Sequence, residues 1–357
     1  MRPQPRAAIR GPYAWPSRNG AVTQVGLDPP RAQRRGRGAQ PVTVAGRQGD
    51  RDAGPYSESR KPLRYTVGRR GTGRRDRTGG QPARTRKRRS GRPVGGTGYP
   101  RAVPTYLTLD EHLAGLARGG AALHRAAAAA GLAAPVPTCP SWDVTALVTH
   151  QGMVHRWAAA NLRGDRKHDP AASLAEAARS GDLLGWYEAG LAALTDTIRS
   201  VPDDPGILVF LNDAPPPRRF WARRQAHETT IHGVDAVAAV LGRWPGVSDV
   251  DIEPALAADG VDELLTGFIT RRRGELRAAE PYAVRVRAAD TGHDWTVRVS
   301  DGPVVTTVGG TGDADATFTG TAAQLYLSLW NRADEISVTG RPDVLDRWRT
   351  EVRVRWG

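Results

Sequence analysis

The stretch Ala226–His232, with the sequence AHETTIH, decides how this chain is interpreted, because it sets Glu228 and His232 four residues apart. Residues at that spacing lie side by side on one face of a helix. A second stretch, Trp142–His150, with the sequence WDVTALVTH, ends in a histidine that we also expect on a helix. If both helices face inward, His150, Glu228 and His232 supply three ligands for one divalent metal and leave a coordination position open.

The motif differs from the HExxH motif of zinc proteases, because His227 and His232 are five residues apart and project in different directions. The glutamate is therefore predicted to be a ligand itself. Two imidazoles and one carboxylate favour zinc and also suit nickel or iron. The alternative is a hydrogen-bonded Glu228–His232 pair at a polar patch, with His150 as a core histidine; the spacing alone leaves both open.

The net charge of +14 is distributed unevenly along the chain. Residues 1–101 contain 25 basic and 5 acidic residues, whereas the remainder contains 26 basic and 32 acidic ones. Because residues 1–103 are rich in Arg, Gly and Pro and lack apolar periodicity, they are predicted to be a disordered tail. The tail is either an upstream extension from a misassigned start, with Val103 as a candidate GUG start, a targeting segment, or a basic arm that contacts nucleic acid or a membrane surface.

The single cysteine, Cys139, excludes a disulfide within the chain and with it the framework of a small secreted domain. It lies among prolines without an adjacent base, so its thiol is predicted to be packed and not nucleophilic. No apolar run of about 18 residues is present that could span a bilayer, and no secretory signal follows the early basic residues. The expected location is the cytoplasm.

The remaining residues predict an α+β fold in two domains. Thr108 with Glu111 forms a capping box, and Asp143 is expected to cap a second helix. The expected helices span 108–130, 143–162, 170–200 and 220–241, with a fifth at 253–273. Four helices with one long connection form a bundle over residues 104–250, and a bundle interior can build a metal site from facing side chains.

Residues 251–357 are expected to form a small C-terminal α+β domain. Short alternating or β-branched runs separated by Gly and Asp turns predict an antiparallel meander. These runs lie at 282–287, 295–299, 304–308 and 314–318, and helices are expected at 321–330 and 341–350.

The chain resembles the mycothiol-dependent maleylpyruvate isomerase family, within the DinB-like superfamily of metal-binding four-helix bundles. The resemblance covers residues 104–357, and its C-terminal part is similar to sterol carrier domains. The segments that carry it are TCPSWDV at 138–144, VHRW at 154–157 and RRQAHE at 223–228, with His150 and His232, and then DATF at 315–318, LWNR at 329–332 and TGR at 339–341.

This resemblance implies zinc, held by His150, Glu228 and His232, and mycothiol as a second cofactor. It implies isomerisation of maleylpyruvate to fumarylpyruvate or, in relatives, transfer of the thiol to an electrophile. The metal-bound thiolate would add to the double bond, allow rotation about it and be expelled. Arg332 is the counterpart of a catalytic arginine that binds the substrate carboxylate. Mycothiol is a thiol of actinobacteria, which fits a GC-rich genome, since 48 of the 51 basic residues are Arg.

Four further positions carry expectations. Gly233 departs from the family pattern, where arginine is expected. Asp235 is predicted to be an exposed helix-surface residue, with orientation of His232 as the alternative. His155 and His227 are expected on the solvent side or in loop contacts, although His227 could handle protons at the site. The rival to an enzyme is a non-catalytic metal- and ligand-binding or regulatory protein whose basic tail contacts nucleic acid.

Overall fold

The computed structural model describes residues 107–165, 167–212, 214–272, 274–310, 312–352 and 354, all within one contact unit. The predicted tail at residues 1–103 and the start of the bundle at residue 104 lie outside these residues. The helices are α1 Leu109–Ala130, α2 Val144–Leu162, α3 Pro170–Arg179, α4 Leu183–Ser200, α5 Pro217–Leu241, α6 Pro254–Asp262, α7 Ala322–Leu329 and α8 Asp343–Glu351. Short 3-10 and π-helical segments lie at Val247–Asp249 and Glu263–Phe268.

The strands form a single five-stranded sheet in the order β3-β2-β1-β4-β5. They are β1 Tyr282–Ala288, β2 Asp294–Val299, β3 Val305–Val308, β4 Ala316–Gly320 and β5 Ser337–Gly340. Helices followed by a sheet with its own helices confirm the predicted α+β fold. None of the described helices combines the length and apolarity needed to cross a bilayer.

The N-terminal ends of the first two helices form as the sequence predicts. The backbone N–H of Glu111 donates to Oγ1 of Thr108 at 3.2 Å, and the Glu111 carboxylate accepts from the backbone N–H of Thr108 at 2.7 Å. Asp143 accepts from the backbone N–H of Ala146 at 2.8 Å. These bonds satisfy N–H groups that the first turn of a helix leaves without a partner, so both caps are confirmed.

Two predicted helices are wrong in extent. The continuous helix expected at 170–200 is broken between α3 and α4, because Asp182 accepts from the backbone N–H of Gly185 at 2.9 Å and so caps a new helix. The helix expected at 253–273 ends its α-helical part at Asp262 and continues as a π-helical segment only to Phe268. In the first case, Asp serves better as a cap than in a helix interior.

The prediction of an antiparallel meander is also wrong. Strands β1, β2 and β3 pair antiparallel as expected, but β4 pairs with β1 in parallel, with Val286 opposite Phe318. A fifth strand, β5, pairs antiparallel with β4 at the sheet edge. A parallel neighbour needs a crossover connection, and the short runs of the sequence do not reveal which strand will be that neighbour.

Helix α5 is the central helix of the bundle. Every residue from Phe220 to Ala236 is buried, although many of them are polar or charged. Helix α1 packs along it at close range, because a Cβ on Gly119 would lie 3.0 Å from Cα of Thr230. A Cβ on Gly233 would likewise lie 3.1 Å from the carbonyl oxygen of Gly119. Gly233, where arginine was expected, therefore permits the close approach of the two helices.

Candidate metal centre

The three predicted ligands meet between α2 and α5. Oε1 of Glu228 lies 3.5 Å from Nε2 of His232 and 3.8 Å from Nε2 of His150. All three ligand atoms lie within 4.8 Å of one another, and the three residues are buried. Atoms that bind one tetrahedral zinc at about 2.0–2.1 Å are separated by about 3.4 Å. The 3.5 Å separation is close to that edge, the 3.8 Å separation is somewhat longer, and both exceed the usual N–H···O length of about 2.7–3.2 Å.

Trp142 forms one wall of this cluster. Its ring centroid lies 5.0 Å from that of His150 and 5.8 Å from that of His232, the latter in a stacked arrangement. The indole is itself buried and begins the segment that leads into α2. The ligand rings are therefore held by an aromatic surface that limits their rotation.

Asp235 is buried, so the prediction of an exposed helix-surface aspartate is wrong. Its Oδ2 lies 2.9 Å from Nδ1 of His232. Since an ionised carboxylate only accepts, Nδ1 carries a proton, and Nε2 is the ring nitrogen that faces Oε1 of Glu228. Burial by itself would raise the pKa of Asp235, but the charge of Arg332 and the bond from His232 hold that pKa well below its ordinary value. This is the carboxylate–imidazole arrangement that orients metal-binding histidines.

Arg332 reaches the cluster from the segment after α7. Its Nε donates to Oδ1 of Asp235 at 2.6 Å, and its Nη2 donates to Oδ2 at 3.2 Å. Thr138 donates to the same Oδ1 at 2.6 Å. The guanidinium therefore lies one carboxylate away from His232, a candidate ligand, and residues 97 positions apart in sequence form the same site.

Cys139 lies beside the same carboxylate, with its Sγ 3.6 Å from Oδ2 of Asp235 and 3.7 Å from Nη2 of Arg332. Burial and the charge of Asp235 raise the pKa of the Cys139 thiol to about 12. The thiol is therefore protonated at neutral pH and a poor nucleophile. This agrees with the interpretation of Cys139 as a packed thiol.

Glu228 also contacts an arginine through its other oxygen. Nη2 of Arg224 donates to Oε2 of Glu228 at 3.1 Å, and Nη1 of Arg224 donates to Glu263. Burial alone would raise the pKa of Glu228, but the two imidazoles and Arg224 lower it well below its ordinary value. Glu228 is therefore ionised, as a metal ligand must be.

A second group of histidines and a carboxylate was missed by the sequence analysis. Nε2 of His112 and Nε2 of His227 lie 3.0 Å and 2.8 Å from the same Oδ2 of Asp259. His227 was expected on the solvent side, and this was wrong because it is fully buried. The sequence contained one signal for this group. Asp259 and Asp262 interrupt the otherwise apolar sequence of α6, and charged residues are rarely buried without partners.

His155 is a further buried histidine, and its expected solvent-side position is wrong as well. Its Nε2 lies 2.9 Å from Oγ1 of Thr229 and 2.9 Å from Nε2 of Gln151. Burial lowers the pKa of His155 to about 3, so the ring is neutral at neutral pH. It belongs to neither cluster.

Comparison with known proteins addresses both halves of the chain. The family model described as the mycothiol maleylpyruvate isomerase N-terminal domain matches residues 113–237, and the model of the corresponding C-terminal domain matches residues 255–347. The two models together match more than half of the chain. No curated protein matches it.

Among solved structures, the chain is similar to a mycothiol-dependent maleylpyruvate isomerase and to a single-site mutant of that enzyme. Each is 15% identical, with a TM-score of 0.46, over 65% of this chain and 93% of the other. An inverting sec-alkylsulfatase, Pisa1 from Pseudomonas sp., is 15% identical with a TM-score of 0.20, over 58% of this chain and 30% of the other. On the two domain matches, the chain belongs to the mycothiol-dependent maleylpyruvate isomerase family, a family of enzymes of the isomerase type.

Proposed function

We propose that the chain is a zinc-dependent isomerase that uses mycothiol to convert the cis double bond of maleylpyruvate or a closely related substrate to the trans form. The observation that carries this proposal is the convergence of two imidazole nitrogens and one carboxylate oxygen at separations of 3.5 Å and 3.8 Å. Membership of the family supports the reaction type. The family is named for mycothiol and maleylpyruvate, which indicates the thiol and the substrate class.

The residues of the cluster fit a catalytic divalent cation. Nε2 of His150, Oε1 of Glu228 and Nε2 of His232 provide three protein ligands and leave a fourth position for a small molecule. Zinc suits this donor set well, and nickel or iron are the alternatives. A bound divalent ion supplies a Lewis acid that keeps a coordinated thiol deprotonated at neutral pH.

Two further residues are proposed to act beside the ligands. Asp235 orients His232 by accepting from its Nδ1, at a distance of 2.9 Å. Arg332 binds the carboxylate of the substrate and stabilises the negative charge that develops on its enolate oxygen. The bonds from Arg332 to Asp235 fix the guanidinium beside the cluster before the substrate arrives.

The test is an isomerisation assay on the purified full-length chain with maleylpyruvate, in which the trans product is separated by chromatography. We expect turnover only when both mycothiol and zinc are supplied, and loss of turnover in His232→Ala. His124→Ala is the matched control, because that imidazole is half-exposed on α1 and pairs with Glu188 near the surface. Turnover that persists in His232→Ala, or after complete removal of the metal, would contradict the proposal. A thiol adduct as the product would indicate transfer in place of isomerisation.

A further inference from the structure

The two oxygens of Glu228 have different neighbours. Oε1 faces the imidazoles of His150 and His232, at 3.8 Å and 3.5 Å, whereas Oε2 accepts from Nη2 of Arg224 at 3.1 Å. Arg224 precedes Glu228 by four residues on α5, so the two side chains lie on the same face of that helix. One oxygen is thus assigned to the cluster and the other to the arginine.

The head group of Arg224 is enclosed by residues that follow α5 in the chain. Its Nη1 donates to Oε2 of Glu263, at the start of the π-helical segment. Its Cζ lies 5.0 Å from the ring centroid of Phe268 and 5.3 Å from that of Trp330. These separations are within the range of cation–π contacts. Both Arg224 and Glu263 are essentially inaccessible to solvent.

We propose that Arg224 and Glu263 are positioning residues of the metal centre, through which the C-terminal region controls how tightly the centre binds its ion. Arg224 holds Oε2 of Glu228 so that Oε1 alone is presented to the metal, and Glu263 with the two rings holds Arg224. The inference rests on the proposed function, because it concerns the same three ligands.

The charges around Arg224 set the direction of the effect. A guanidinium close to a cation site opposes binding of the cation unless another anion balances its charge. Glu263 provides that balance, since it shares Arg224 with Glu228. Removal of the Glu263 charge leaves the positive charge of Arg224 directed at Glu228 alone. The carboxylate ligand then donates less strongly, and the ion is bound more weakly.

The shape of the side chain matters as well as its charge. A guanidinium is planar and presents several N–H groups in a fixed fork, so it can bridge two carboxylates. A lysine ammonium is a point charge on a flexible stem and does not fix both partners. Arg224→Lys is therefore also expected to release Oε2 of Glu228 and to weaken the centre, although the charge is kept.

The experiment compares Glu263→Gln with Asp262→Asn in the full-length chain. Asp262 is the adjacent residue, is buried, and accepts from Arg223 and from Nε1 of Trp295. Both substitutions remove one buried negative charge from an arginine pair, but only Glu263 contacts Arg224. The zinc dissociation constant is measured by competition with a fluorescent chelator, and urea unfolding of the metal-free proteins records their stability.

Loss of an outer partner of a metal ligand typically lowers affinity by about 10- to 100-fold, and we expect that range for Arg224→Lys. Glu263→Gln acts through Arg224, so we expect it to lower zinc affinity by about 10-fold, the lower end of that range. Asp262→Asn is expected to lower stability in the metal-free state while it keeps the wild-type zinc affinity. The inference is overturned if Glu263→Gln binds zinc like the wild type, or if Asp262→Asn weakens zinc binding equally. A wild-type chain that takes up no zinc contradicts the proposed function first and the inference with it.

Discussion

Two clusters, each of two histidines and one carboxylate, lie on different faces of α5 and differ in geometry. In the first, the imidazole nitrogens of His150 and His232 are 3.8 Å and 3.5 Å from the Glu228 oxygen. In the second, those of His112 and His227 are 3.0 Å and 2.8 Å from an Asp259 oxygen. The two longer distances are close to the ligand–ligand separation of a tetrahedral zinc site, and the two shorter distances are those of hydrogen bonds. Residue type alone therefore does not identify a metal site.

The position of the neighbouring arginine explains the difference. Arg223 donates through its Nε to the same Asp259 oxygen that both imidazoles contact, at 3.0 Å. Arg224 donates to the Glu228 oxygen that the imidazoles do not face. Cation binding is opposed at Asp259, because Arg223 contacts the oxygen that both imidazoles share. Cation binding is tolerated at Glu228, because Arg224 contacts the oxygen that the imidazoles do not face. We therefore propose that the first cluster binds metal and that the second joins α1, α5 and α6 through hydrogen bonds.

The largest expected effect comes from the removal of one imidazole from each cluster. His232→Ala should weaken zinc binding by more than the about 10- to 100-fold that loss of an outer partner costs, because a ligand itself is removed. His227→Ala is its matched control on the same helix and should bind zinc like the wild type. Metal content measured by mass spectrometry after gel filtration checks both. Loss of zinc in His227→Ala would show that the clusters have been assigned to the wrong roles.

The next effect concerns the stability of the second cluster. Asp259→Asn should lower the free energy of unfolding by about 3 kcal/mol, the lower end for breaking a buried ion pair, because it removes one of the two carboxylates that each lie 3.0 Å from the buried Arg223. Zinc affinity should not change. Urea unfolding and chelator competition on the same sample measure the two quantities. A variant that keeps its stability but loses bound metal would place an ion in this cluster.

A smaller effect is expected from Asp235, which touches a proposed ligand without being one. Asp235→Asn should lower zinc affinity by about 10- to 100-fold, because a neutral amide orients His232 less strongly and holds Arg332 less firmly. Asp249→Asn is the control, since Asp249 pairs with the exposed Arg243 at the surface. Equal zinc affinities in the two variants would argue against an orienting role.

The effect that is smallest near neutral pH is a change in the pH dependence of stability. The folded-state pKa of His155, about 3, lies below the ordinary value of 6.5, so the unfolded chain binds this proton first as the pH falls. The neutral ring of His155 contributes fully to the free energy of unfolding above pH 6.5. Below that pH its contribution decreases by about 1.4 kcal/mol per pH unit until the folded-state pKa is reached. His155→Gln should have a flatter curve in urea unfolding of the metal-free protein. Parallel stability–pH curves for the wild type and His155→Gln would contradict a neutral, buried His155 ring.

The sequence predicts the first cluster well because its information is local. Glu228 and His232 follow from their spacing of four residues, and the caps at Thr108 and Asp143 follow from the residues beside them. His150 was joined to this pair by the expectation that both helices face inward, and the family resemblance added Arg332. The structure brings both near the pair, although residues 150 and 332 are far apart in the chain.

The second cluster could not be predicted in this way, because it depends on pairing between distant segments. Asp259 lies 147 residues from His112 and 32 from His227, and no periodicity connects them. The parallel pairing of β4 with β1 was missed for the same reason. Asp235 is buried because α5 is surrounded on all sides from Phe220 to Ala236, and His155 of α2 is buried against Thr229 of that helix. The mixed polar sequence of α5 does not indicate this burial.

The most direct test of the central claim is an anomalous difference map, recorded at the zinc absorption edge, from crystals of the full-length chain grown with zinc. The account predicts one strong peak within about 2.0–2.2 Å of Nε2 of His150, Nε2 of His232 and an oxygen of Glu228. A peak between His112, His227 and Asp259, or no peak at either cluster, would contradict it.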